Sequence, residues 1–556
     1  MPPCGAVRGP DLDAGVATDA AAPKVAKKTL ELALRPRPGG VAVVITLVGA
    51  SPGALEAASM PAASLQNLTA TDDAGPLPLI KGTSGNGVRV ELSREAKGTL
   101  RVAYDVVAAH DPHAATSALV SAEDRFRGLG EALVLVPTAA ADTAMEITVA
   151  IDGAALAAPD AASSFGFGAR RVRVARPRAL GRAVFVAGAL GRASFEAGLE
   201  KDESAWLGYT AFDPRPVAAE IAQVRTALRE LWKGGGDDAF AMLFVSSARP
   251  TGAWALVPRA SSLMLHLGPA EGWTAPLRLG VTQRLMQPWI GGELRLGADE
   301  VEGAWLADGV ARVLAAHVLR DLDLMTPSDA RAVVAGLLSA QATSPHRGKG
   351  LAALAPVWRA DPTARAHVAM LGALHAVRIS SMLAKKGARP LSAVVLDLVK
   401  RARDAQGAPL PTSAWTDALA KELGPDAARA FDDDVRAGKE IALPSDALGP
   451  CFRAERGTYV AFDLGFDVRA TTDAPERALV GLDPSGPAAK AGAREGDVLE
   501  DAKYDDGVAE KPAELTLRRG TGAKVTVKYT PAGARRPGTI FTRVAGVRDE
   551  ACGPVL

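Results

Sequence analysis

At 556 residues and 48% hydrophobic content, the chain is long enough for three or four domains, each with its own core. Its 64 Lys and Arg stand against 63 Asp and Glu, and a net charge of +1 gives no electrostatic reason to expect nucleic acid or an anionic membrane as a partner. No uninterrupted apolar run approaches the roughly 18 residues of a transmembrane segment, and the strongest, residues 41–50, is short and β-branched, as in a strand.

Residues 1–26 are rich in Ala, Asp, Gly and Pro and lack the apolar content of a core, so they read as a disordered tail or tether. Cys4-Gly5 suits two readings: the tether of a bacterial envelope lipoprotein with a lipid anchor on Cys4, or a cytoplasmic tail, because Met1-Pro2-Pro3 does not fit a lipoprotein cleavage box. From 27 to 160, short β-rich runs at 41–47, 87–92, 99–107, 132–136 and 145–149 alternate with Gly, Pro, Asp and Ser clusters, which predicts an all-β sandwich. The next zone adds a strand at 183–187, a helix at 216–231 with Ile221, Val224, Leu228 and Leu231 at helical spacing, and a strand at 241–245. Within it Arg170, Arg171, Arg173, Arg176, Arg178 and Arg182 form a basic cluster. The period-two alternation of Arg171-Val172-Arg173-Val174 marks this as a strand with one solvated face rather than a binding patch.

The next segment, Gln283-Arg284-Leu285-Met286-Gln287-Pro288-Trp289, is followed by Trp305-Leu306-Ala307-Asp308-Gly309. This layout resembles H-E-x-x-H-x-W and W-x-x-E-G of the glycyl aminopeptidase family of gluzincin metallopeptidases, which end in a PDZ domain. Such a site needs two His four apart on one helical face to hold Zn²⁺, a Glu beside the first to deprotonate the bound water, and a later Glu as third ligand. Here those positions read Gln283, Arg284, Gln287 and Asp308. A neutral carboxamide is a poor zinc donor, and guanidinium neither binds a cation nor gives up its proton, so the family's zinc is not expected in this chain.

The resemblance extends along the sequence. Ala255-Leu256-Val257-Pro258-Arg259-Ala260-Ser261 stands where the family carries G-L-E-H-x-x-S on the edge strand of its cleft, and it lacks both Glu and His. The resemblance also implies that 133–137, an L-x-L-x-P sequence, is the last strand of the β domain. From 302 to 434 the pattern is helical, with segments at 305–322, 330–338, 365–383, 392–405 and 413–423. The family's transition-state tyrosine would fall near Ala369-Met370-Leu371-Gly372, where there is none. Phe431-Asp432-Asp433-Asp434 resembles the closing helix before the PDZ linker, its acidic triplet reading as a solvated face.

Residues 454–547 resemble a bacterial PDZ domain, most specifically in Gly486-Pro487-Ala488-Ala489-Lys490-Ala491-Gly492-Ala493-Arg494-Glu495-Gly496-Asp497-Val498-Leu499. Leu464, Gly465 and Phe466 would form the peptide-binding carboxylate loop, but 508–513 is too short for a groove helix of several turns. Cys451 and Cys552 flank this domain and would pair in an oxidising compartment. Of the seven histidines (His110, His113, His266, His317, His346, His367 and His375), no two stand at i, i+4, and each reads as a core or surface residue. No phosphate loop, dinucleotide fingerprint or nucleophile elbow offers other chemistry.

The expected molecule is thus an α+β multidomain protein. It has an N-terminal β-sandwich (27–160), a degenerate thermolysin-like α/β plus helical peptidase-type domain (161–445) and a C-terminal PDZ-like domain (454–547). Its expected function is that of a catalytically silent metallopeptidase homologue binding a peptide or protein. The alternatives are an active zinc aminopeptidase with another ligand set and an envelope lipoprotein spacer.

Overall fold

The computed structural model describes residues 28–108, 119–197, 200–209, 211–234, 240–246, 252, 254–259, 261–520 and 522–552. Cys4, His110 and His113 lie outside the described residues.

The strands Thr29–Arg37 and Gly40–Val48 pair as an antiparallel hairpin whose inward positions, Leu30, Leu32, Leu34, Val41, Val43, Ile45 and Leu47, are buried. This alternation fixes the register, because a one-residue slip would turn the apolar set to solvent. The hairpin lies inside a seven-stranded sheet, with Met145–Ile151 and then Arg170–Ala175 on one side and Leu100–Val107, Leu65–Asp72 and Gly75–Pro76 on the other. A five-stranded and a four-stranded sheet close over the same apolar core. The buried Tyr104 hydroxyl donates to the Leu133 carbonyl (2.9 Å) and accepts from the Leu135 amide (3.0 Å).

Three sequence expectations change here. The sheets run past residue 160, since Arg170–Ala175 pairs with Met145–Ile151, and Val184–Gly188 pairs with Arg125–Leu129. The 133–137 segment is not one strand: Gly130–Leu133 is a helical turn and only Val136–Pro137 pairs. Leu133, Val134 and Leu135 are all buried, so burial on every side produces the apolar run that reads as a strand. In Arg170–Ala175 the solvated face carries Val172 and Val174, 50% and 78% exposed, while Arg171 turns inward to Glu203 (2.9 Å).

The middle domain begins with a five-stranded sheet ordered Leu190–Ala197, Glu200–Leu207, Ala241–Ser246, Ser262–Leu267 and Ala255–Arg259. Ala241–Ser246 and Ser262–Leu267 are parallel and almost wholly buried, as the covered centre of a sheet requires. The helix Pro214–Trp232 buries Val217, Ile221, Val224, Leu228 and Trp232 in the same core as the helical lobe. That lobe comprises Ala275–Met286, a rod from Glu300 to Asp321, Pro327–Thr343, Pro362–Lys386, Leu391–Asp404, Ser413–Leu423 and Pro425–Phe431. Pro362–Lys386 has the length and hydropathy of a membrane span, but 67% of its most apolar window is buried inside the protein, so it serves as the lobe's central helix.

At the C-terminal end the strands Phe452–Phe462 and Ala532–Arg543 pair as a long antiparallel ribbon, and the chain between them forms a three-stranded antiparallel sheet of Val498–Lys503, Ala513–Arg519 and Ala523–Tyr529 over a small core. Asp497 of the Gly-Asp turn is buried, accepting from the Arg494 amide (2.9 Å) and from both Nε and Nη2 of Arg519 (2.9 and 2.8 Å). Residues 508–512 form no helix. A disulfide joins Cys451 to Cys552, 101 positions apart, and closes the domain at its base.

Candidate functional site

The helix Ala275–Met286 carries Pro276 in its first turn and stops at Gln287, before Pro288. Proline suits a helix start, and it restricts the residue before it. Trp289 then anchors the exit, with its indole N–H donating to the Gly234 carbonyl (2.8 Å). Across from it runs the rod made of Glu300–Ala304, a π-helical turn Trp305–Val310, and Ala311–Asp321. Trp305 is fully buried, its ring 4.7 Å from that of Phe431 and 5.2 Å from that of Trp415. A side chain at Gly309 would place its Cβ 2.5 Å from the Ala369 carbonyl, and one at Gly372 would strike the Trp305 carbonyl. The two glycines let the rod and the Pro362–Lys386 helix touch backbone to backbone, so the Ala369–Gly372 turn faces the rod's π-helical turn.

This frame brings three of the four motif positions together. Gln283, 8% exposed, donates its side-chain N–H to the Asp308 backbone carbonyl (2.8 Å). Arg284 Nη1 lies 3.4 Å from Asp308 Oδ1. Gln287 is half-buried at the C-terminal end of the helix. Burial pushes the Asp308 carboxyl above the ordinary aspartate range, the Arg284 charge opposes that shift, and Glu300 adds to it.

The residues do not fit zinc. Asp308 is the one anionic donor among the four positions, and its carboxylate already faces a guanidinium. At about 4 Å and an effective dielectric near 20, each like-charged unit pair costs roughly 4 kcal/mol, and a dication beside Arg284 would meet that repulsion twice over. Gln283 turns its N–H, a donor rather than a ligand atom, toward Asp308. Among the described residues no three His, Cys, Asp or Glu cluster in a metal-holding group.

The strand Ala255–Arg259 lies at the edge of the five-stranded sheet, and Trp254 and Leu256 pack on Gly280 of the motif helix. Val257 and Pro258 occupy the places where the family pattern has Glu and His. Arg259 Nη1 donates to both carboxylate oxygens of Glu131 of the N-terminal domain (2.7 and 2.8 Å), tying that edge to the β domain.

Two polar networks were not visible in the spacing. His375 is fully buried on the central helix. Its Nδ1 lies 2.9 Å from Asp434 Oδ2 and its Nε2 accepts from the Trp415 indole (3.3 Å), while Arg378 donates to Asp434 Oδ1 (2.8 Å). Burial lowers the His375 pKa against the pull of Asp434, so the ring is neutral, with its proton on Nδ1. The acidic triplet is therefore only partly a solvated face. Asp432 and Asp433 pair with Arg436 and Lys439 at the surface, whereas Asp434 is buried by a π-helical turn, Asp432–Arg436. In the second network, His346 Nε2 meets Asp361 and Thr363 (both 2.9 Å), and His367 Nδ1 meets Ser344 Oγ (2.8 Å).

In the C-terminal domain, Leu464 and Phe466 are buried in the core. Gly465 takes a left-handed conformation at φ 82° against Pro487 and Ala488, with its amide donating to Asp463 Oδ1 (2.7 Å). The Leu464 carbonyl accepts from the Tyr529 hydroxyl (2.9 Å) and the Gly465 carbonyl from the Asp483 amide (2.8 Å). At least these backbone groups of 464–466 have intramolecular partners.

No family model matches the sequence, and no curated protein does. Among solved structures, an aminopeptidase N family protein from Idiomarina loihiensis aligns over 95% of this chain and 100% of its own, at 13% identity and a TM-score of 0.66. An M1 zinc metallopeptidase from Deinococcus radiodurans aligns over 75% of this chain and 95% of its own, at 16% identity and a TM-score of 0.48. Leukotriene A4 hydrolase from Saccharomyces cerevisiae covers 73% of this chain and 66% of its own, at 11% identity and a TM-score of 0.43. At such identities the first of these likenesses establishes fold alone: the chain has the mixed α/β, multidomain architecture of an aminopeptidase N-like protein.

Proposed function

We propose that this protein is a catalytically silent relative of M1-type zinc aminopeptidases that works by binding a peptide or protein. The observation that carries the reading is the pairing of Arg284 with Asp308 where the family layout would place a general base and a zinc ligand. With a guanidinium at the base position and carboxamides at Gln283 and Gln287, the positions hold no metal ion to lower the pKa of a water molecule. The glycyl aminopeptidase subfamily is favoured by the C-terminal Gly-Pro-Ala-Ala to Gly-Asp-Val-Leu segment, which reads as PDZ-like; Leu464, Gly465 and Phe466 are its candidate peptide loop. The disulfide Cys451–Cys552 favours an oxidising compartment, hence the cell envelope over the cytoplasm. It also keeps the lipoprotein spacer as the second reading.

The test is zinc content of the purified full-length protein by mass spectrometry, alongside hydrolysis of aminoacyl anilides with and without chelator. Substoichiometric zinc and no chelator-sensitive turnover are expected. One zinc per chain with chelator-sensitive release of N-terminal residues would establish the active aminopeptidase instead. A peptide-library screen with no binder would leave the spacer.

A further inference from the structure

The paired strands Phe452–Phe462 and Ala532–Arg543 and the helix Pro327–Thr343 border an open cavity of about 770 Å³ on the helical lobe, formed by residues other than the four motif positions. Its size falls within the range of small-molecule and cofactor sites, about 300–1,000 Å³. Phe452, Tyr459, Ile540 and Phe541 supply apolar wall. Two guanidinium groups line it as well, and their situations differ. Arg543 is committed: it donates to Asp549 (2.7 Å) and to the Val547 carbonyl (2.6 Å) and lies over the Phe452 ring, 5.3 Å from its centroid. Arg331 has only the Phe541 carbonyl, at 3.5 Å, and no carboxylate partner among the described residues.

We infer that this cavity is a binding site for a carboxylate carried on an apolar or aromatic body, with Arg331 as the charge that recognises it. With Asp549 paired to Arg543, the uncompensated charge of the lining is that of Arg331. A planar guanidinium with free N–H groups matches a carboxylate bidentately. A cationic ligand would be repelled, and a neutral apolar one would strip water from Arg331 with nothing to replace it. The disulfide holds the apolar wall in place, because Cys451 precedes Phe452 and Cys552 accepts from Arg543 Nη1 (3.3 Å). The site is independent of the Gln283–Asp308 cleft, so it stands or falls separately from the reading of that cleft.

The shared chemistry, an α-carboxylate beside an apolar side chain, belongs both to a small free acid and to the C-terminus of a peptide. Calorimetric titration of the full-length protein uses N-acetyl-L-phenylalanine, its carboxamide, and N-acetyl-Ala-Ala-Phe. The acid is expected to bind one to one, about tenfold more tightly than the amide, as one charge-assisted pair warrants. Arg331→Gln should weaken the acid by a similar factor and leave the amide unchanged, with its thermal midpoint confirming that it folds. Ala335→Phe, which fills the cavity without touching a charge, should weaken the binding of both. A tripeptide that binds more tightly assigns the site to peptide ends, and equal affinity assigns it to small acids. Equal binding of acid and amide, no heat from either, or unchanged acid affinity in either variant would overturn the inference.

Discussion

Asp434 shows how much one buried carboxylate can hold in place. It faces His375 and Arg378 at 2.9 and 2.8 Å, and His375 in turn receives the Trp415 indole, which packs on Trp305 at the foot of the candidate site. Asp434→Ala would strand a buried imidazole donor and a half-buried guanidinium, and a buried donor left unsatisfied costs about 1–3 kcal/mol. Urea unfolding should register that loss, with Asp434→Asn milder because it keeps an acceptor. A different histidine sets a pH dependence. Burial, with the neighbouring His346 adding to it, holds His367 at about 4, against 6.5 for an ordinary histidine. Between those values the unfolded chain takes up a proton that the folded chain refuses. The contribution is therefore whole above about pH 6.5 and is lost as the pH falls toward 4, at up to about 1.4 kcal/mol per pH unit. His367→Asn should flatten the stability profile over that window, and an unchanged slope would dismiss the effect. Neither network was legible in the sequence. His375 and Asp434 lie on different helices, and Asp434 turns inward only through a π-helical turn that α-helical spacing does not anticipate.

At the scale of elements, the decisive contact is the backbone-to-backbone approach of the π-helical rod and the central helix at Gly309 and Gly372. An added Cβ at Gly372 meets the Trp305 carbonyl, not the end of a flexible side chain, so the helices must part. Gly372→Ala should cost about 1–3 kcal/mol by overpacking, despite alanine's better helix propensity. Gly336→Ala, on an open helix face, should be neutral or slightly stabilising. Thermal unfolding of the two variants side by side checks the assignment, and similar midpoints would refute it. The helices themselves were legible where the apolar periodicity was strong. The segment expected at 413–423 is the helix Ser413–Leu423, and that expected at 365–383 lies inside Pro362–Lys386. Legibility failed where burial comes from all sides, as at 133–135, and where both faces of a strand are half-open, as at Arg170–Ala175.

At the scale of the whole molecule, the motif frame is held by groups other than the side chains at the four motif positions. Trp289 is tied to Gly234, Trp305 is wedged between Trp415 and Phe431, and Gly309 meets the central helix, while Gln283, Arg284 and Asp308 mainly engage one another. That is why the layout can be read from Trp289, Trp305 and Gly309 although the four motif positions carry no zinc-ligand set: packing fixes shape without the ligands. It follows that the frame should accept a zinc-ligand set. Gln283→His, Arg284→Glu, Gln287→His and Asp308→Glu together supply two imidazoles, a base and a carboxylate on the same two elements, and the purified quadruple variant should carry one zinc per chain by mass spectrometry. A triple variant that keeps Arg284 should not, because the guanidinium repels the ion by several kcal/mol whatever the other donors are. Zinc in the triple variant would show that Arg284 swings clear and does not keep the ion out. Its absence from both would show that the half-buried Gln287 position does not point with Gln283 toward Asp308, so that the four positions do not form a metal frame in this fold.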